Sequence, residues 1–202
     1  MTTAPVPPRT WVRFCVEASA VPASTTRVDR YRVDSVRTVS GAPLAGIVSG
    51  AKLVRLESMV ELPAGGGDLI GVTQHLVYTR AAERPSLVTA SPPGADALAV
   101  MIPLTRSEAW WQLAQDERDA LFRGAGKLGH VHVGLPYART ILRKLYHCRP
   151  LPGAGFDFLT YFEFSPADRP RFEALLAALR DPEQNPEWGY MERESELWLS
   201  RT

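Results

Sequence analysis

Apolar positions along this chain are spaced in two ways, and the change comes near residue 97. Before it, the pattern is strand-like and sparse. In the segment from Thr10 to Ala18, Val12, Phe14 and Val16 alternate with Trp11 and Arg13, and a period of two predicts a strand. Residues 1–9 are proline-rich and carry no period, so they read as a flexible arm. Polar and Gly/Pro stretches at 21–26 and 40–50 follow, without a helical period. Leu53 to Leu62 is a second strand candidate, and Gly65, Gly66 and Gly67 mark a turn before the apolar segment that opens at Asp68.

Beyond residue 97 the signals are stronger. Ala97 to Leu104 is a continuous apolar run of strand length. Thr105 and Glu108 have the spacing of a capping box, which predicts a helix start. The helix runs through Trp110, Trp111 and Leu113, breaks near Gly124, Gly126 and Gly129, and resumes toward Arg139. Ile141 to Cys148 reads as a strand. Phe156, Phe158, Thr160, Phe162 and Phe164 alternate and are expected on one strand face. Phe172, Leu175, Leu176 and Leu179 repeat at i, i+3, i+4 and i+7, a one-sided helix. A final strand is expected from Trp188 to about Ser200. Residues 97–202 thus read β-α-β-β-α-β, the ferredoxin-like order of an α+β fold. Residues 10–96 form a reduced, strand-rich unit that, with a partner chain as the alternative, covers the other sheet face. The fold class expected is a dimeric α/β-barrel type.

Composition narrows the function. The chain has 202 residues, 23 Lys plus Arg against 22 Asp plus Glu, and a net charge of +1. Such balance gives no electrostatic reason to expect a nucleic acid or an anionic membrane as partner. The longest uncharged run, Thr38 to Ala51, is 14 residues, too short to span a bilayer. The opening residues lack the apolar core of a signal peptide, and the expectation is a cytoplasmic protein. Two cysteines, Cys15 and Cys148, make neither a disulfide framework nor a thiolate metal site. Of the four histidines, His130 and His132 are two apart and would converge on a metal only from a strand, with no carboxylate or thiol near in sequence. His75, His132 and His147 read as structural or lining residues.

Several ordered blocks then coincide with one family. They are Met101 to Leu104, Glu108 to Trp111, Asp116 to Arg118, His130 with Gly134, Leu135 and Tyr137, Leu142 to His147, Phe156 to Glu163, and Glu187 to Glu194, with Gly71 to Tyr78 before them. From about residue 71 to 200 the chain resembles the chlorite dismutase family of haem proteins, in its short branch. The resemblance implies haem b as cofactor, with His130, 13 residues before Arg143, as the iron ligand. It implies Glu187 as the carboxylate behind that imidazole and Trp111 packed on the same side. Trp110 and Tyr78 would line the haem near its propionates. On the opposite face it implies Arg143 as the catalytic cation, with Leu145, Thr160 and Phe162 lining a pocket for one small anion.

The activity so implied is decomposition of chlorite to chloride and dioxygen through an oxo-ferryl haem, by a homo-oligomer, with dimers ahead of pentamers. Two alternatives stay open. One is coproheme decarboxylation or a peroxidase-like haem reaction, although the decarboxylase branch usually carries Gln where Arg143 stands. The other is a haem-free, ligand- or metal-binding member of the fold. A second alignment supports it by leaving the helix unbroken and setting Ala125, not His130, at the ligand position.

Overall fold

In the computed structural model, residues 9–16, 21–62, 68–73 and 94–202 are described. Eight strands close into one antiparallel barrel: β1 (Trp11–Val16), β2 (Thr25–Ser40), β3 (Lys52–Ser58), β4 (Leu69–Val72), β5 (Leu98–Arg106), β6 (Leu142–His147), β7 (Phe158–Phe164) and β8 (Met191–Arg201). Their neighbour order is β1-β3-β2-β8-β5-β7-β6-β4. The first-half strands therefore complete the barrel, and they cover the inner face of the second-half sheet. Between β5 and β6 lie α1 (Glu108–Gln112), α2 (Gln115–Phe122) and α3 (Gly129–Gly134). Between β7 and β8 lies α4 (Arg169–Leu179). None of these helices is long and apolar enough to cross a membrane.

Period-two alternation gives each strand an inner and an outer face. Inward, Val12, Phe14, Leu53, Ala99, Met101, Leu159, Leu197 and Leu199 fill the barrel. Outward, Val100, Ile102, Leu104, Phe162 and Phe164 pack against Phe172, Leu175 and Leu176 of α4. The ring of Phe172 stacks on Phe164 at 4.4 Å and meets Phe162 edge-on at 5.0 Å. Burying each such side chain contributes about 1.5–3 kcal/mol, which holds the helical layer on the sheet. Phe156 does not share the outer face expected of it. It precedes β7 and packs into the barrel interior, beneath the Arg193 guanidinium.

The barrel interior also holds charge. Arg55 of β3 bonds Asp29 at 2.7 Å and Tyr146 at 3.0 Å, pairs with Glu57, and lies over the Tyr161 ring. Lys144 reaches Glu57 at 2.9 Å, and Tyr161 donates to Glu163, itself held by Arg201 at 2.7 Å. These contacts explain why the 16-residue β2 goes unmarked in the hydropathy pattern. Its inward positions include Arg27 and Asp29 as well as Tyr31 and Val33, and its ladder to β8 is interrupted by register shifts.

Two local expectations are corrected. Thr105 is no helix cap, because β5 continues through Arg106 with Thr105 paired to Arg193; α1 starts after Ser107 with no side-chain cap bond. Trp188 is not in a strand, since Pro186–Tyr190 forms a 3₁₀ turn ahead of β8.

Glu57 carries a pH signature. Burial alone would raise its pKa, but Arg55 and Lys144 outweigh burial and hold it below the ordinary 4.5. A carboxyl with a depressed folded pKa stabilises above its unfolded value, and that stability is lost as pH falls through the folded one. Urea unfolding should therefore show stability falling as pH drops below about 4.5. Glu57→Gln should cost about 1–3 kcal/mol at pH 7, because buried Arg55 loses one of its two carboxylates and keeps Asp29, and should flatten the acid limb.

Candidate functional site

The loop from Arg123 to Gly129 is built on backbone conformations that L side chains rarely adopt. Gly124, Gly126 and Gly129 have φ of +95°, +96° and +76°. A Cβ on Gly129 would lie 2.2 Å from the Gly124 nitrogen, so the two backbones approach only because both residues are glycine. The turn ties itself to the segment before β8: the Gly129 N–H donates to Gln184 O at 2.8 Å, and Lys127 Nζ to Pro182 O at 3.0 Å. His130, next in α3, is thereby set beside Glu187 of the 3₁₀ turn.

Glu187 is fully buried. One carboxylate oxygen lies 3.0 Å from His130 Nδ1, and the other pairs with Arg106. Arg106 Nη1 also donates to the Glu187 carbonyl at 3.1 Å. With Nδ1 committed to Glu187, Nε2 is the nitrogen of His130 left for the cavity. Burial, then the charges of Arg143 and Arg106, lower the His130 pKa well below 6.5 and favour the neutral ring. Phe122 meets that ring edge-on at 5.6 Å, and Trp110 meets Phe122 at 5.4 Å.

His130 and Arg143 line one cavity, open to solvent, between the outer sheet face and the helices. Ile102, Leu104, Thr160 and Phe162 form its floor, and Leu176 and Leu179 belong to the helical side. Arg143 has open surface, and protein surrounds it on every other side. Burial lowers its pKa from 12.5, and the guanidinium keeps its charge at any ordinary pH. The set fits a haem in donor chemistry: a ligating nitrogen backed by a carboxylate, apolar walls, and a cation on the sheet side.

Not every expected residue lines this cavity. Leu145 is half-buried on the same β6 face as Arg143, opposite Thr160, and is not among the lining residues. The two tryptophans exchange the places expected of them. Trp110 is the one behind His130, in the core with Phe122, Tyr190 and Arg106. Trp111 stacks on Phe158 and donates to Asp157 at 3.3 Å. Successive helix positions point about 100° apart, so the pair could not share one environment. Tyr78 and His75 lie outside the described residues. His132 bonds Leu128 O at 3.0 Å, and no group of three metal-ligating side chains occurs among the described residues. Ala125 sits in the turn at φ +45° with its N–H on Ala120 O, away from the cavity. Arg106, Arg180, Asn185 and Glu194 were not singled out from sequence. Arg106 lay inside the false capping box, and nothing in a linear pattern marks a buried ion pair.

No protein-family model matches the chain. Its fold superposes on the dimeric chlorite dismutase of Nitrobacter winogradskyi with a TM-score of 0.73 and 32% identity, over 94% of this chain and 99% of that one. The chain belongs to the chlorite dismutase family. A curated chlorite dismutase from Ideonella dechloratans is 30% identical over 129 residues, which is 60% of this chain and 42% of the longer protein. The match thus spans less than half of that relative. The chlorite dismutase of Candidatus Nitrospira defluvii, solved with imidazole, shares the fold at TM-score 0.66 and 21% identity, over 96% of this chain and 90% of that one. Within the family frame, the His130–Glu187 pair and Arg143 are the residues that meet at one cavity.

Removing the Glu187 carboxylate should be costly for this family member, because it breaks a buried ion pair with Arg106. Glu187→Leu should lose about 3–5 kcal/mol in urea unfolding, and Arg106→Met with Glu187→Leu should recover most of it. Gly129→Ala should lower the melting temperature and disturb His130, since its Cβ would meet backbone.

Proposed function

We propose that this protein is a haem b oxidoreductase that decomposes chlorite to chloride and dioxygen. The observation that carries the reading is the convergence of the His130–Glu187 pair and Arg143 on one cavity. The chemistry a bound haem supplies is oxygen-atom and electron exchange at iron. His130 Nε2 would hold the iron, and Glu187, 3.0 Å from Nδ1, would orient the ring and make the imidazole a stronger donor. Arg106 pairs with the other oxygen of buried Glu187. Arg143 draws in a small oxyanion and retains the anionic product in a site where water competes poorly. Phe162, Ile102 and Leu104 exclude water from it, with Thr160 beside Arg143 and Leu145 at the flank. Trp110 buttresses His130 through Phe122, and Trp111 braces the β7 start.

The fold detail we propose is a ferredoxin-like unit, β5–β8 with α1–α4, joined to a reduced β1–β4 counterpart. The neighbour order β8-β5-β7-β6 supports it. A homodimer is the assembly proposed, by likeness to the dimeric Nitrobacter protein.

Reconstitution with haem b should give a Soret band that shifts or disappears in His130→Ala. Arg143→Ala should keep the band and lose about tenfold or more in kcat/KM for chlorite at an oxygen electrode, the worth of one charge-assisted hydrogen bond. No Soret band in the unmodified protein would overturn the proposal.

A further inference from the structure

The cavity floor has a polar group at each lateral margin. Arg143 stands on β6 and Glu194 on β8, with β7 and β5 between them. Three inter-strand spacings separate these margins, about 14 Å, and Thr160, Phe162, Ile102 and Leu104 fill the interval. The margins differ in chemistry. At β6 the cavity meets a cation. At β8 it meets acceptor oxygens: Glu194 is 5% exposed, and Asn185, 3% exposed, spends its Nδ2 on Leu179 O at 2.7 Å. The Asn185 Oδ1 atom is buried and has no hydrogen-bond partner.

Arg106, opposite Met191, and Arg180 also line this margin, but their charges are already used, that of Arg106 on Glu187. Arg180 Nε donates to Glu194 at 2.9 Å, and its Nη2 pairs with both Glu194 and Glu196. Arg37 binds Glu196 at 2.7 Å. Two carboxylates thus share two guanidinium groups. A ligand carboxylate placed here would meet oxygen atoms. It could recruit Arg180 only by leaving Glu194 buried and less well compensated, which is costly. Leu176, Leu179 and Met191 supply the rest of the margin, and they suit an apolar edge.

We propose that the β8–α4 margin of the cavity excludes carboxylates. Glu194 and Asn185 thereby select a porphyrin whose two carboxylates lie along one edge, as in haem b, over one with carboxylates on both edges, as in iron coproporphyrin. The inference deepens the haem reading and rests on it. It makes Glu194 a specificity residue for the ligand, and it turns the carboxylate edge of haem b away from β8.

Absorbance titration of the haem-free full chain tests it with three iron porphyrins. Haem b and iron deuteroporphyrin each have two carboxylates on one edge; iron coproporphyrin has four. The expected result is similar Kd for the first two and at least tenfold weaker binding of the third. Glu194→Gln should narrow that ratio several-fold. Met191→Lys, which adds a cation at the same margin and leaves the Arg180 pairing intact, should narrow it too and covers the case in which Glu194→Gln does not fold. Iron coproporphyrin binding as tightly as haem b to the unmodified protein would overturn this inference alone. So would a ratio unmoved in both variants. Failure of all three porphyrins to bind would overturn the haem reading and this inference with it.

Discussion

A carboxylate with no access to water must be compensated on both oxygens, and Glu187 is compensated by groups from two separate parts of the chain. Arg106 comes from the end of β5, in the sheet. His130 comes from α3, in the helical layer. The ion pair with Arg106 and the close approach of His130 Nδ1 therefore clamp the two layers together at the point where the cavity opens. They also decide which ring nitrogen of His130 is spent on the protein and which is left over. Structure and chemistry meet in one side chain here, and the Arg123–Gly129 loop, with its close glycine contact, exists in service of that meeting.

The sheet serves two masters in a comparable way. Each of the strands β5, β6 and β7 sends alternate residues into the barrel and into the cavity. On β7, Thr160 and Phe162 face outward while Leu159, Tyr161 and Glu163 face inward. The inner set carries aromatic and charged groups tied to Arg55 and Arg201; the outer set is smoother and mostly apolar. One strand thickness separates a hydrogen-bonded interior from a ligand-sized space, and the rigidity of the first defines the shape of the second.

Much of this was legible in the sequence wherever hydrophobicity alone sets the pattern. The α4 stripe of Phe172, Leu175 and Leu176 and the alternation of β7 from Phe158 onward are both found, because an outer face packed on a helix needs apolar positions. His130, Arg143, Thr160, Phe162 and Glu187 were named as site residues and do line the cavity. Legibility failed where polar residues point inward. Arg27 and Asp29 hid β2, since a buried ion pair looks like a solvated face to any hydropathy reading. Thr105 and Glu108 imitated a cap because spacing cannot register that the strand pairs on through Arg106. Which of Trp110 and Trp111 packs toward Phe122 and which toward Phe158 is a question of helix phase that neighbouring identical residues cannot answer from sequence.

The hydrogen bond from Gly129 to Gln184 has a consequence in time. It joins positions 55 residues apart, and the barrel closes only when β8 pairs with β2, over a still longer separation. Contacts so distant along the chain form late. During synthesis α3 leaves the ribosome well before its partners do, and domains consolidate as units when their last element arrives. The nascent chain therefore holds its histidine without a pocket around it. A pocket around that histidine exists only once the segment before β8 is in place.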